Sequence, residues 1–234
     1  MRRTLLVAAK DLRVLWSSPL PFVMGAAFSA SLGLLYVSQL EDRRQAVIQP
    51  MFPLAGFLLL IAVPVLTMRS FAEESRTGTL DVLLAVPVRP RVLVPGKWLA
   101  AWLTTLVLLV PTLVFVWLLH LYGNPEPGPI EAGYLGLVLM AALLAALGVF
   151  ASTCTASQPL AAMVALFVAL VLWFAHVGSD TVSTGAVLAR LSISERLRTF
   201  AGGAVDTGDL AFFVLATVGA LVVAAAVLGI RRLR

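Results

Sequence analysis

Five stretches of this 234-residue chain contain no charged residue, and each is at least 21 residues long. A helix that crosses a bilayer needs about 20 predominantly apolar residues. The longest stretch, of 48 residues, has room for two such helices, and Pro159 follows a polar segment where the second would begin. The sequence therefore predicts an all-α integral membrane protein with six transmembrane helices, at about residues 20–40, 51–68, 97–122, 134–153, 159–177 and 209–230.

The composition agrees with a chain that folds in lipid. Hydrophobic residues make up 60% of the chain and charged residues only 12%, whereas a soluble domain carries about 25% charged residues. No stretch is long and polar enough to form a separate water-soluble domain. We therefore expect residues 1–234 to form a single transmembrane domain.

The positive charges predict how the helices are oriented. With six spans, 12 of the 17 Lys and Arg residues fall on the side that holds both termini, and 5 fall on the other side. The positive-inside rule then places both termini in the cytoplasm of a protein of the cell membrane. The basic residues are spread over three cytoplasmic segments and form no single stripe, so they do not indicate a nucleic-acid partner.

Three segments outside the spans have patterns of their own. Residues 2–16 place basic side chains on one helical face and apolar side chains on another, which predicts an amphipathic helix in the headgroup layer. Residues 69–96 form the longest predicted cytoplasmic loop. Residues 178–208 are partly apolar, and we expect them to form a re-entrant or interfacial segment on the outer side.

The cytoplasmic loop contains the signals of a short helix. Gly78 interrupts the chain, Thr79 is a good N-cap, Asp81 falls in the first turn, and Pro87 ends the element. Two readings of its apolar side chains stay open. They pack back on the membrane helices, or they insert into a groove of a soluble partner and transmit its movement.

The sequence lacks the motifs of an enzyme. It has no glycine-rich loop that ends in Gly-Lys-Ser/Thr for ATP phosphates, and no spacing of His, Cys or carboxylates typical of a metal or acid–base site. His120 and His176 are predicted at the outer interface. We therefore expect no catalytic residue, no metal site and no cofactor bound by this chain, and we expect its driving energy to come from a partner.

Two regions of the chain resemble a known family. Residues 66–88 (LTMRSFAEESRTGTLDVLLAVPV) and 94–100 (VPGKWLA) are similar to the signature region of type-2 ABC-transporter permeases, especially the gliding-motility-type branch. The similarity returns at residues 191–213, where GAVDTGDL and a Phe-Phe pair lie at the start of the last predicted helix. The amphipathic start and the six spans also fit this family.

The resemblance implies a transmembrane permease of an exporter. It would pair with a second permease, identical or related, and with two cytoplasmic ATP-binding subunits that hold ATP and Mg. The residues that would couple it to the ATPase are Glu73, Glu74, Gly78, Thr79, Leu80, Asp81, Leu83, Leu84 and Pro87. The residues that would shape the outer re-entrant segment are Gly203, Asp206 and Asp209.

Other functions remain open at this point. A haem-exporter-type permease would also have six spans and a cytoplasmic coupling loop. An intramembrane lipid-modifying enzyme would need clustered catalytic carboxylates or histidines at one membrane face, and a scaffold would only anchor a soluble partner. The sequence identifies neither the substrate nor whether the second permease is an identical copy.

Overall fold

The computed structural model describes residues 2–43, 48–79, 90–122, 125–177 and 190–231. In these ranges all regular structure is helical, which confirms the predicted all-α membrane fold. A 3₁₀ turn at Val110–Thr112 separates α5 from α6. The helices are α1 (Arg2–Ser17), α2 (Leu20–Arg43), α3 (Met51–Thr67), α4 (Arg69–Arg76), α5 (Pro90–Leu109), α6 (Leu113–Tyr122), α7 (Pro127–Cys154), α8 (Gln158–Trp173), α9 (Ile193–Ala201) and α10 (Thr207–Arg231).

Within the described ranges, five helical segments are long and apolar enough to cross a membrane. They are α2, α3 with α4, α5 with α6, α7, and α10. Helix α8 is apolar but has 16 residues, which gives it a length of about 24 Å. The hydrocarbon core of a bilayer is about 30 Å thick. The six-span arrangement therefore stays a prediction, with α8 in the place of the fifth helix.

Helix α7 lies at the centre of the bundle and contacts α3, α4, α5, α8, α9 and α10. In its most apolar window 72% of the residues are buried, compared with 17% for α10 at the periphery. Glycines on α7 allow its neighbours to come close. A Cβ at Gly133 would overlap the Phe52 ring of α3, and one at Gly136 would lie 2.9 Å from Cβ of Phe200 on α9.

Two tryptophans of α5 attach it to α7. The indole N–H of Trp98 donates to the carbonyl of Ala142 at 2.9 Å, and that of Trp102 donates to the carbonyl of Val138 at 3.1 Å. The two rings stack with centroids 5.4 Å apart. Each ring thus buries apolar area while its polar group finds an acceptor, as a buried tryptophan requires.

The N-terminal helix is a separate element, as the sequence predicts. The chain bends at Ser18 and Pro19 between α1 and α2, and the Ser18 N–H donates to the carbonyl of Leu15 at 3.2 Å. Helix α1 then packs on α5, where a Cβ at Gly96 would lie 2.8 Å from Cγ1 of Val7. The absence of a side chain at Gly96 lets the two backbones approach.

Part of the cytoplasmic loop predicted at residues 69–96 is helical. Its start forms α4, and its end forms the first turns of α5, which begins at Pro90 rather than at residue 97. Proline suits the first position of a helix because its missing N–H has no partner there in any case. The helix predicted at residues 97–122 contains Pro111, a residue that interrupts helices, and the 3₁₀ turn lies at this proline.

Candidate functional site

A buried lysine joins three helices at one end of the bundle. The Lys97 ammonium on α5 lies 2.8 Å from Oε1 of Glu74 on α4 and 3.3 Å from Oδ2 of Asp11 on α1. It also lies 4.9 Å from the centroid of the Phe71 ring on α4. We call these four residues the Lys97 cluster, and the end of the bundle that holds it the basic end.

The Lys97 cluster is largely shielded from solvent. The Lys97 side chain is 6% exposed, and those of Asp11 and Glu74 are 15% and 20% exposed. Removing a charge from water costs free energy unless opposite charges and hydrogen bonds replace the water. The ammonium is therefore held where both carboxylates can reach it, which fixes α1 and α4 against α5.

Apolar side chains next to the Lys97 cluster pack α4 against the bundle. Phe71 is buried against Val94 of α5, Val149 of α7 and the last turns of α10, where Ala224 and Leu228 are buried. Helix α4 is thus anchored to three transmembrane helices. A displacement of α4 acts on the bundle directly.

The Lys97 cluster lies where the chain passes from α4 to α5. Residues 77–89 connect the two helices, and the Glu74–Lys97 ion pair joins the helices that flank this connection. The Asp11–Lys97 ion pair adds the N-terminal amphipathic helix to the same junction. Three helices that meet around one ammonium are restrained relative to one another.

The structure places four of the nine predicted coupling residues. Glu74 binds Lys97, and Glu73, one residue earlier, is half-buried. Gly78 has φ +71°, a left-handed conformation that favours glycine, and forms the turn after α4. Thr79 is exposed, with its hydroxyl 2.9 Å from that of Thr77. The other five lie outside the described residues, as does most of the predicted helix 79–87: Leu80, Asp81, Leu83, Leu84 and Pro87.

Of the four residues in the Lys97 cluster, sequence reasoning predicted only Glu74 as a site residue and missed Lys97, Asp11 and Phe71. Lys97 was expected at the start of a transmembrane helix and Asp11 within a surface helix, and neither was expected to be a site residue. One available signal was that Lys97 directly follows Pro95 and Gly96 and precedes an uncharged run. A lysine there either reaches water or finds a carboxylate, and only the packing of α1 decides between the two.

The opposite end of the bundle contains a second ion pair. The Arg196 guanidinium of α9 binds the Asp209 carboxylate in the first turn of α10, and its carbon lies 4.1 Å from the centroid of the Phe212 ring. These two side chains are 16% and 12% exposed. The pair fixes α9, within the segment predicted at residues 178–208, to the start of α10.

The two other residues predicted for this segment form its turns. Gly203 has φ +86° and ends α9, with its N–H donating to Phe200 and the next N–H donating to the carbonyl of Thr199. This is the Schellman pattern, in which glycine is favoured. Asp206 precedes α10, and its carboxylate accepts the Gly208 N–H at 3.0 Å, as an N-cap does.

Two serine hydroxyls donate hydrogen bonds to the last backbone carbonyl of α8 inside the protein. The carbonyl of Trp173, the last residue of α8, accepts from Ser194 at 2.8 Å and from Ser192 at 3.3 Å. Nδ1 of His176 lies 3.1 Å from the Ser194 hydroxyl. Backbone at membrane depth must find such partners, because lipid supplies none. These bonds allow α8 to end after 16 residues.

We expect the double substitution Ser192→Ala with Ser194→Ala to lower the free energy of unfolding by about 2 kcal/mol. The change removes both hydroxyl donors of the Trp173 carbonyl and leaves only Nδ1 of His176, 3.3 Å away, as a side-chain partner. A buried acceptor that loses its donors costs about 1–3 kcal/mol. Thermal unfolding in detergent measures the effect. Ser157→Ala is the control, because Ser157 is exposed and makes no side-chain cap bond. Equal midpoints for the two variants would contradict the prediction.

In the described part of the chain, no group of three or more His, Cys, Asp or Glu side chains is arranged to hold a metal ion. The two acidic members of the Lys97 cluster are bound to the ammonium.

Comparison with known proteins gives one family. The sequence model of a family described as ABC-2 family transporter protein matches residues 20–227, most of the chain. The match begins at the first residue of α2 and covers every helix from α2 to α9 and most of α10. No curated protein matches the chain.

Proposed function

Because the chain belongs to the ABC-2 family of transporter proteins, we propose that it is the permease subunit of an ATP-driven exporter. The family makes the chain a multi-pass membrane permease of an ABC transporter, and such permeases generally carry no ATPase site of their own. In our proposal a separate cytoplasmic subunit binds ATP and Mg. A second permease, identical or related, completes the pathway in the cell membrane. Assignment to the gliding-motility-type branch stays a prediction.

The observation that carries this proposal is the Lys97 cluster. A coupling segment must be attached to the transmembrane helices firmly enough to transmit a displacement. The ion pairs at Lys97 hold both helices that flank residues 77–89, and Phe71 anchors one of them in the bundle. In the proposed mechanism the ATPase contacts residues 79–87, and its movement reaches α1, α4 and α5 together.

Thermodynamic linkage determines how ATP binding by the partner can act on the permease. ATP-bound ATPase shifts the permease between two conformations only if it binds one of them more tightly. In the proposal this difference in affinity arises at residues 79–87 and acts through the Lys97 cluster on the bundle. Linkage is reciprocal, so a change that stabilises this more tightly bound conformation of the permease must also tighten ATP binding by the partner.

We expect Leu83→Asp to abolish co-purification of an ATPase with the permease. A charged side chain would be buried without a partner in the apolar groove of the ATP-binding subunit. The measurement is affinity purification of the tagged chain from mildly solubilised native membranes, followed by an ATPase assay of the eluate. Leu83→Met is the matched control, because it conserves apolar volume.

The outcome of this experiment separates the candidate functions. Retention of ATPase with the native chain and Leu83→Met, and its loss with Leu83→Asp, supports the proposal. If no ATPase co-purifies with the native chain in any mild detergent, the proposed coupling is wrong. If Leu83→Asp retains the ATPase, the contact lies elsewhere on the basic end.

A further inference from the structure

A cavity of about 230 Å³ lies beside the Lys97 cluster, between α1, the start of α2, α4 and α5. One water molecule requires roughly 10–15 Å³ of such space, so the cavity is much larger than a packing defect. Sites that enclose a drug-sized ligand measure about 300–1,000 Å³. The cavity therefore fits the polar part of a small molecule and is too small for a transport pathway.

Charges of both signs line this cavity in equal number. Its cationic side chains are Lys10, Arg69 and Lys97, and its anionic side chains are Asp11, Glu73 and Glu74. Three of these six side chains, those of Asp11, Glu74 and Lys97, already pair with one another in the Lys97 cluster. Among the described residues, the ion pairs do not include Lys10, Arg69 or Glu73, which leaves two cations and one carboxylate to face a ligand.

This charge pattern selects a zwitterion that carries a phosphate. Phosphate binds arginine and lysine through short charge-assisted hydrogen bonds, and a carboxylate binds an ammonium group. A purely anionic ligand would pair with Lys10 and Arg69 but would leave Glu73 without a cationic partner. A trimethylated ammonium has no N–H to donate and is usually bound by aromatic faces. The described residues that line this cavity include no aromatic side chain, so a primary ammonium fits best.

The apolar part of the lining indicates where the ligand comes from. Val14, Leu15, Leu20 and Pro21 line the cavity together with the charged residues. They lie where the amphipathic helix α1 turns into the membrane helix α2, and Trp16 packs edge-on against Phe22 at the same place. Tryptophan is enriched at the level of the lipid headgroups. A molecule with a polar head and attached acyl chains suits this position.

We propose that this cavity is a binding site for the phosphoethanolamine headgroup of a membrane lipid. The phosphate lies against Lys10 and Arg69, the primary ammonium against Glu73, and the acyl chains follow the apolar residues into the bilayer. The proposal requires only that the chain lies in a membrane, so it goes beyond the proposed coupling to an ATPase and does not depend on it. A bound lipid would fill the space between α1 and α4.

Native mass spectrometry of the full chain in detergent tests this site. Dioleoyl phosphatidylethanolamine, phosphatidylcholine and phosphatidylglycerol are added separately at equal concentration. We expect the ethanolamine lipid to be retained about tenfold better than the choline lipid, the change that one charge-assisted hydrogen bond produces. Glu73→Gln should remove this preference, and it should lower retention of the choline lipid much less, since the choline group loses only a charge attraction and no hydrogen bond.

Matched variants and a soluble probe make the result decisive. Lys10→Gln should weaken retention of both zwitterionic lipids, whereas Arg13→Gln should not, since Arg13 is exposed on the same helix and does not line the cavity. Thermal unfolding without added lipid verifies that each variant is folded. Equal retention of the ethanolamine and choline lipids by the native chain would overturn the proposal. A preference for the ethanolamine lipid that survives Glu73→Gln would also overturn it. Free phosphoethanolamine is the soluble probe, and the proposal would be wrong if this probe raised the unfolding midpoint while the native chain showed no preference for the ethanolamine lipid.

Discussion

Lys97→Met is expected to destabilise the protein by about 3 kcal/mol and to detach α1 from the bundle. The substitution leaves the carboxylates of Asp11 and Glu74 close together without the ammonium that both approach. Breaking a buried ion pair by removing one partner costs about 3–5 kcal/mol, because the remaining charge stays buried. Partial exposure of both acids places the expected value at the lower end. Thermal unfolding in detergent and proteolysis at the link between α1 and α2 measure the two effects.

A compensated variant distinguishes loss of charge balance from loss of packing. Adding Asp11→Asn and Glu74→Gln to Lys97→Met removes the uncompensated charges and should recover most of the lost stability. The same triple variant should still fail to stimulate the partner's ATPase if the ion pairs transmit movement. If Lys97→Met unfolds at the native midpoint, the Lys97 cluster contributes nothing to stability and the proposed junction is wrong.

Gly148→Leu is expected to prevent normal packing of α3 against α7. A Cβ at Gly148 would overlap the Thr67 hydroxyl and lie 2.7 Å from Cβ of Thr67, which is fully buried at the end of α3. Overpacking costs about 1–3 kcal/mol even where side chains can adjust. Thr67 cannot move easily, since its hydroxyl donates to the carbonyl of Val63 at 2.8 Å. We expect a loss of about 3 kcal/mol, measured by unfolding in detergent and by the yield of monodisperse protein.

Gly219→Leu is the control for this prediction. Gly219 lies on the exposed face of α10, and a Cβ there would meet no atom within 4 Å. Leucine is also a better helix former than glycine by about 1 kcal/mol, so this variant should be as stable as the native chain or more so. Equal losses for Gly148→Leu and Gly219→Leu would show that the contact between α3 and α7 is not the cause.

The positions of the membrane helices could be predicted because lipid imposes a local rule. Every backbone group inside a bilayer must be satisfied within the protein, so an uncharged run of sufficient length becomes a helix whatever its neighbours are. The separate helix α1 and the interruption at Pro111 follow from equally local properties of proline. The length of α8 could not be predicted this way, because its end at Trp173 depends on hydroxyl groups 19 and 21 residues away.

The sequence alone determined the fold class, the amphipathic start and the family resemblance, and it predicted the charge asymmetry between the two sides of the membrane. Only the tertiary structure decided which charges meet. Asp11, Glu74 and Lys97 come from three helices and are brought together by the packing of α1 over Gly96 and of Phe71 into the bundle. The physical reason is the separation along the chain over which each effect acts. Hydrophobicity and proline geometry act within one segment, whereas an ion pair depends on where separate segments pack.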